Sequence, residues 1–187
     1  MSYTRKEFEF PRLERVISGP DTVDTLADEI DRQRITRALV VTGKTLGSSR
    51  LLERITHPLG DRCAAVFTGA RQHVPSSTVT ELIALIERHE VDGVVSLGGG
   101  SPIDTVKAAI HSLLTAGGAS TDAVPRHVAI PTTLSAGEFT SVAGVTDERT
   151  RIKHALRDPG IAPRAVVSDP TLTLATPSWL WAASGIR

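Results

Sequence analysis

Short apolar runs alternate with amphipathic stretches along most of this 187-residue chain. The runs at 15–19 (RVISG), 37–42 (RALVVT), 63–69 (CAAVFTG), 92–97 (DGVVSL), 127–133 (HVAIPTT) and 164–170 (RAVVSDP) predict strands. Most are apolar without a break, the pattern of strands covered on both faces. Between them apolar side chains recur at helical spacing. Val23, Leu26, Ala27 and Ile30 predict a first helix, with Asp21 as its N-cap, because a carboxylate there accepts the free amides of the first turn. A second helix is expected from about 47–49, and 76–90 is a clear amphipathic helix with Val79, Leu82, Ile83 and Ile86 on one stripe. A further helix runs from the glycines at 98–100 to about Leu114, a loop follows at 117–123, and 141–156 reads as a hairpin turning at 147–150. The stretch 176–187 opens one more helix. Parallel strands need long crossovers, so this alternation predicts an α/β fold with a Rossmann-like parallel sheet and helices on both faces.

The sharpest local feature is VVSLGGGSPIDTVKAAI at 94–110. Three adjacent glycines stand where a buried strand hands over to a helix. Ser101 is placed to cap that helix and Pro102 to open it, with Ile103, Val106, Ile110 and Leu113 on its buried face. Gly98, Gly99, Gly100 and Ser101 thus form a turn whose free amides sit at a helix N-terminus, a physical recipe for binding phosphate. In an open parallel sheet that position lies at the carboxyl ends of the strands, where ligands bind. A tight turn with no ligand is the plainer alternative. Asp104 and Lys107 follow one turn apart, either as a solvated ion pair on the polar face or as ligand contacts. Thr132, Thr133 and Ser135, in PTTLSAGEFT at 131–140, offer hydroxyls to a ribose or phosphate.

Composition narrows the function classes. Twenty-one basic residues balance 21 acidic ones, so no electrostatic case exists for nucleic acid or an anionic membrane as partner. Cys63 is the single cysteine and can form no internal disulfide, which suits a reducing, cytoplasmic compartment. The start MSYTRKEFEF lacks the apolar core of a signal peptide, and no stretch approaches the ~20 apolar residues of a membrane span. The G-x-G-x-x-G fingerprint fails at Ile103, and no P-loop, G-x-S-x-G elbow or C-x-x-C pair occurs.

GGGSPIDTVKAAI and IPTTLSAGEFT together resemble the iron-containing alcohol dehydrogenase family, with its G-G-G-S-x-x-D-x-x-K turn and later P-T-T-x-x-x-x-E segment. DPTLTLATPSWLWAASGIR is similar to the family's passage from nucleotide domain to helical metal domain. The three motifs keep the family's order over nearly the whole chain. FTGARQHVP at 67–75 is similar to a stretch of maleylacetate reductases, a subgroup of the family, whereas TTLSAGE departs from that subgroup's loop.

The resemblance implies a dehydroquinate-synthase-like nucleotide domain over 1–176, with 177–187 as the start of a helical metal-binding domain that is otherwise absent. It implies NAD or NADP as cofactor, with Gly98, Gly99, Gly100 and Ser101 on the pyrophosphate, and Thr132, Thr133 and Ser135 alongside. Asp104 is expected near the nicotinamide and Lys153 on the nucleotide, although a hairpin lysine is also simply solvated. Asp169 and Pro170 match a family Asp-Pro read as structural. The implied reaction is metal-assisted hydride transfer between the dinucleotide and a small alcohol, aldehyde or keto acid, in a full-length homo-oligomer. The divalent metal, iron or zinc, would be held by the helical domain; Arg187 falls where the first ligand belongs, and His73, His111, His127 and His154 match no ligand. Members that prefer NAD often carry an acidic residue after the second strand, where this chain has Gly43 and Lys44, so NADP is expected to be tolerated or preferred. By itself the sequence is expected to bind dinucleotide weakly and turn over essentially nothing. A non-catalytic nucleotide-binding module and a partner-dependent or non-functional remnant stay as alternatives.

Overall fold

A computed structural model describes residues 13–117 and 123–186, so the expectations for the N-terminal stretch, for most of the 117–123 loop and for Arg187 lie outside the described residues. Among the described residues, eight strands and six α-helices follow one another as β1 (Arg15–Ser18), α1 (Leu26–Arg32), β2 (Ala38–Val41), α2 (Lys44–Gly47), α3 (Arg50–Leu59), β3 (Cys63–Phe67), α4 (Ser76–Arg88), β4 (Gly93–Gly98), α5 (Gly100–Gly117), β5 (Arg126–Pro131), β6 (Val142–Thr146), β7 (Lys153–Arg157), β8 (Ala165–Ser168) and α6 (Ser178–Gly185). Six of the strands form one sheet in the order β1-β8-β5-β4-β2-β3, every pairing parallel. The fold is the Rossmann-like α/β class that the alternation predicts. β6 and β7 pair antiparallel as a separate hairpin.

The strands read as unbroken apolar runs because both faces are covered. In β2, Ala38 and Val40 join a core with Leu26 and Ile30 of α1 and Ile55 and Leu59 of α3. Leu39 and Val41 point the other way, into a core with Val79, Leu82 and Ile86 of α4 and Val106 and Ile110 of α5. Period-two alternation thus feeds two cores from one strand. Strand β4, buried along its whole length, begins at Gly93, where an added Cβ would lie 2.5 Å from Ile35 Cδ1. Gly93→Val is therefore expected to destabilise the fold by about 2–3 kcal/mol through overpacking, read as a lower urea midpoint at unchanged slope.

The start of the first helix differs from expectation. Asp21 makes no capping hydrogen bond and adopts a left-handed backbone (φ 57°), and a 3-10 turn at Thr22–Thr25 precedes α1. Asp21 instead pairs with Arg54 at 3.3 Å, while the carboxylate of Asp169, at the exit of β8, accepts the Val23 N–H at 3.2 Å. A residue 146 positions away supplies the cap. Pro170 then opens a 3-10 turn with Asp169 as its N-cap, so the Asp-Pro pair ends the strand and turns the chain.

Candidate dinucleotide site

The direction of travel across the sheet reverses between β2 and β4: β2 leads outward to β3, and β4 leads the other way to β5 and β8. Ligands of open α/β sheets bind in the crevice beyond the strand ends at such a reversal. The two strand exits are tied together there, Thr42 Oγ1 donating to the Leu97 carbonyl at 2.8 Å. Gly98 leaves β4 with φ at 141°, a conformation that side chains resist. The helix begins at Gly100, so Ser101 lies within the first turn of α5 rather than ahead of it as a cap. The first N–H groups of a helix have no partner within it, and those of α5 stand at the end of the sheet where β4 exits.

The loop after β5 packs directly onto the turn, most tightly at Gly99. A Cβ at Gly99 would lie 2.9 Å from Thr133 Oγ1, and one at Gly100 would lie 3.5 Å from Ser135 Oγ. Both hydroxyls are buried and, among the described residues, have no hydrogen-bond partner. Buried hydroxyls rarely remain unpaired, so these two, set against a bare backbone turn, have hydrogen-bonding capacity that the described residues do not use. Thr132 plays a different part: its N–H donates to the Gly98 carbonyl at 2.9 Å and its carbonyl accepts Thr176 Oγ1 at 2.8 Å, locking the loop to the turn and to the segment entering α6. Leu134 N–H adds a bond to Ser184 Oγ of α6 at 3.1 Å.

Asp104 sits one turn into α5, where its Oδ2 accepts the Gly144 N–H of β6 at 3.3 Å. The Lys153 side chain lies over the same glycine, with Nζ 2.9 Å from where a Cβ would stand. The hairpin therefore brings Lys153 toward Asp104 through Gly144, while Gly98, Gly99, Gly100, Ser101, Thr132, Thr133 and Ser135 gather around the turn.

Lys107 is not on the polar face of α5 but fully buried, with Nζ donating to the carbonyl of Gly137, to Thr140 Oγ1 at 3.0 Å and to the carbonyl of Val142 at 3.1 Å. Burial lowers its pKa to about 8, against the opposing pull of Asp104 and Glu138. Glu138 is buried too, with Oε2 unpartnered among the described residues and its carboxyl pushed up by burial. The sequence reading has Lys107 as an ion pair on the polar face or a ligand contact and assigns Glu138 no role, yet for Lys107 the signal is present: 103, 106, 107 and 110 follow the i, i+3, i+4, i+7 rule, which puts Lys107 inside the apolar stripe. His127 is buried in β5, held neutral by burial with a pKa lowered to about 3, and shares a 2.8 Å hydrogen bond with Ser96 Oγ. Among the described residues no group of three His, Cys, Asp or Glu side chains is placed to hold a metal ion, and no helix is long and apolar enough to cross a membrane.

Residues 13–170 match the family described as iron-containing alcohol dehydrogenase. The chain belongs to that family. It is 35% identical to the maleylacetate reductase of Pseudomonas knackmussii over 177 residues, covering 94% of this chain and 46% of that protein. The chain thus spans about half the length of the curated relatives it matches. The crystal structure of maleylacetate reductase from Agrobacterium tumefaciens superposes with a TM-score of 0.81 at 29% identity, over 97% of this chain and 48% of that one. Sulfoacetaldehyde reductase from Bifidobacterium kashiwanohense, in complex with NAD+, shares the fold at a TM-score of 0.88 and 23% identity, over 98% of this chain and 51% of that one. Within the family's frame, the stretch 67–75 that resembles maleylacetate reductases runs beside the β2 exit: Ala70 N–H donates to the Thr42 carbonyl at 3.1 Å. It contains His73 and Val74, both at positive φ, a conformation that a β-branched residue adopts only where its surroundings enforce it.

Proposed function

We propose that this chain is the nucleotide-binding half of an NAD(P)-dependent oxidoreductase acting on a small carbonyl or alcohol, with a keto acid favoured by the maleylacetate reductases among its relatives. The observation that carries the reading is the cradle at the β2/β4 reversal: bare glycine backbone, a helix N-terminus, and two buried hydroxyls without partners. A bound dinucleotide would supply the hydride. The chain's residues would bind and orient it: the amides at 99–101 take the pyrophosphate, Thr133 and Ser135 donate to its oxygens, and Asp104 with Lys153 flank the end nearer the hairpin. Among the described residues none are grouped to hold the metal that the family name implies.

The test is titration of the purified chain with NADH and NADPH, followed by nicotinamide fluorescence. Saturable binding supports the reading; its absence up to millimolar ligand overturns it. Hydride transfer to a keto acid separates an enzyme from a binding module.

Cofactor choice rests on Lys44. It opens α2 directly after β2, and Leu46 of the same short helix packs within 3.5 Å of a Cβ placed on Gly98. Residues 42–49, which follow β2, hold no carboxylate to accept a ribose hydroxyl or repel a 2′-phosphate. NADPH is expected to bind at least as tightly as NADH, and Lys44→Glu to shift the ratio toward NADH by about tenfold. Tighter NADH binding by the unaltered chain would remove the cofactor assignment.

A further inference from the structure

We infer that Lys107 is a positioning residue for the dinucleotide site, its buried ammonium clamping the loop at 132–142 to α5 so that Thr133 and Ser135 stay opposed to the glycine turn. The inference rests on the dinucleotide reading above. Lys107 grows from the same helix that the turn initiates, seven residues after Gly100. Its three donor bonds all go to neutral acceptors spread over one segment: Gly137 and Thr140 at the end of the loop, and Val142 at the start of β6. One cation therefore fixes the loop, the 3-10 turn at Gly137–Phe139 and the hairpin relative to the phosphate end of α5. Few other bonds do so. Thr132 anchors the loop's beginning and Asp104 reaches β6, but the stretch between them, with Ala136 in a left-handed conformation, has its far end held by Lys107.

The electrostatic setting explains why an ammonium is tolerated there. Asp104 on α5 and Glu138 on the loop are the negative groups whose fields favour it, and His127 from β5 stays neutral. α4, β6 and the turn at Pro159–Ile161, which also pack on α5, bury only uncharged side chains. The clamp is consequently sensitive to alkali. Loss of one proton leaves an amine with two donors for three acceptors and removes a positive charge from beneath an anion site. Dinucleotide affinity should fall as pH rises through about 8.

Lys107→Met, similar in length and uncharged, tests this. In the ligand-free chain, amide hydrogen exchange across 133–142 is expected to accelerate about tenfold in the variant, with β2 and β4 unchanged. Dinucleotide affinity is expected to fall about tenfold at pH 7 and to lose the decline that the unaltered chain shows above pH about 8. Unchanged exchange together with an unchanged pH profile would overturn the inference. If Lys107→Met fails to fold, Thr140→Val removes one acceptor at an exposed position and is expected to loosen the same segment about threefold; no loosening overturns the clamp. An unaltered chain that binds no dinucleotide at any pH sinks the functional reading, and the positioning role with it. A chain that binds, with a variant indistinguishable from it, sinks the positioning role alone.

Discussion

Gly98→Val is expected to remove measurable dinucleotide binding, a loss of about a hundredfold or more, while leaving the sheet assembled. Three effects coincide at this position. The backbone at φ 141° lies in a region that a β-branched residue does not enter without strain of about 1–3 kcal/mol. A Cβ there would stand 2.9 Å from Pro102 Cγ and 3.5 Å from Leu46 Cδ1, so relief of the strain must move α5's first turn or α2. Any such movement carries the helix amides away from the pyrophosphate they are proposed to bind. Misplacing the amides and filling the space beside them together exceed ~3 kcal/mol, which is the hundredfold loss. Titration with NADPH and a thermal melt of the same preparation check it. Affinity retained within threefold in a folded variant would mean that the turn is only a turn. Gly99→Ala provides a graded companion, since its Cβ would meet the Thr133 hydroxyl rather than the helix.

How much of this was legible in the sequence depends on how far each interaction reaches along the chain. The parallel sheet, the hairpin and the glycine turn were readable because each is encoded locally: unbroken apolar runs, a polar turn between two short strands, three glycines before a helical stripe. The hydroxyls at 133 and 135 were readable as candidates, but not their opposition to Gly99 and Gly100, which requires knowing that β5 lies beside β4. The misreadings share one cause. Asp21 precedes an apolar stripe in the manner of an N-cap, yet its backbone is left-handed and a distant carboxylate serves the amides instead. Lys107 reads as polar and therefore as outward-facing, although its spacing places it on the buried face of α5. Three acceptors from a segment 30 to 35 residues further on make that burial tolerable, and no local pattern announces them.

The second large effect concerns Asp169, the distant carboxylate that replaced the expected cap. Asp169→Ala is expected to destabilise the folded chain by about 3 kcal/mol at pH 7. The residue is 1% exposed, and its carboxylate accepts bonds from the Thr171 N–H at 2.8 Å, Thr171 Oγ1 at 2.7 Å and the Val23 N–H at 3.2 Å. Alanine would leave those donors with no acceptor at the place where the exit of β8 meets the entry to α1. Asp169→Asn retains one acceptor oxygen and should lose about half as much. The sign of the pH effect follows from the same contacts. Burial alone would raise the carboxyl's pKa, but the Thr171, Val23 and Asp21 donors outweigh it and hold the group below its ordinary 3.8. Its contribution is therefore fully present above pH 3.8 and is lost as pH falls through the depressed value. Urea unfolding at pH 7 should separate the unaltered chain from Asp169→Ala clearly, and the gap should narrow below pH 4. A gap of the same size at both pH values would show that alanine disturbs packing instead of removing a charge-assisted anchor. No gap at either would mean that the 3-10 turns at Thr22–Thr25 and Pro170–Thr173 hold themselves, and that the Val23–Asp169 bond between them is dispensable.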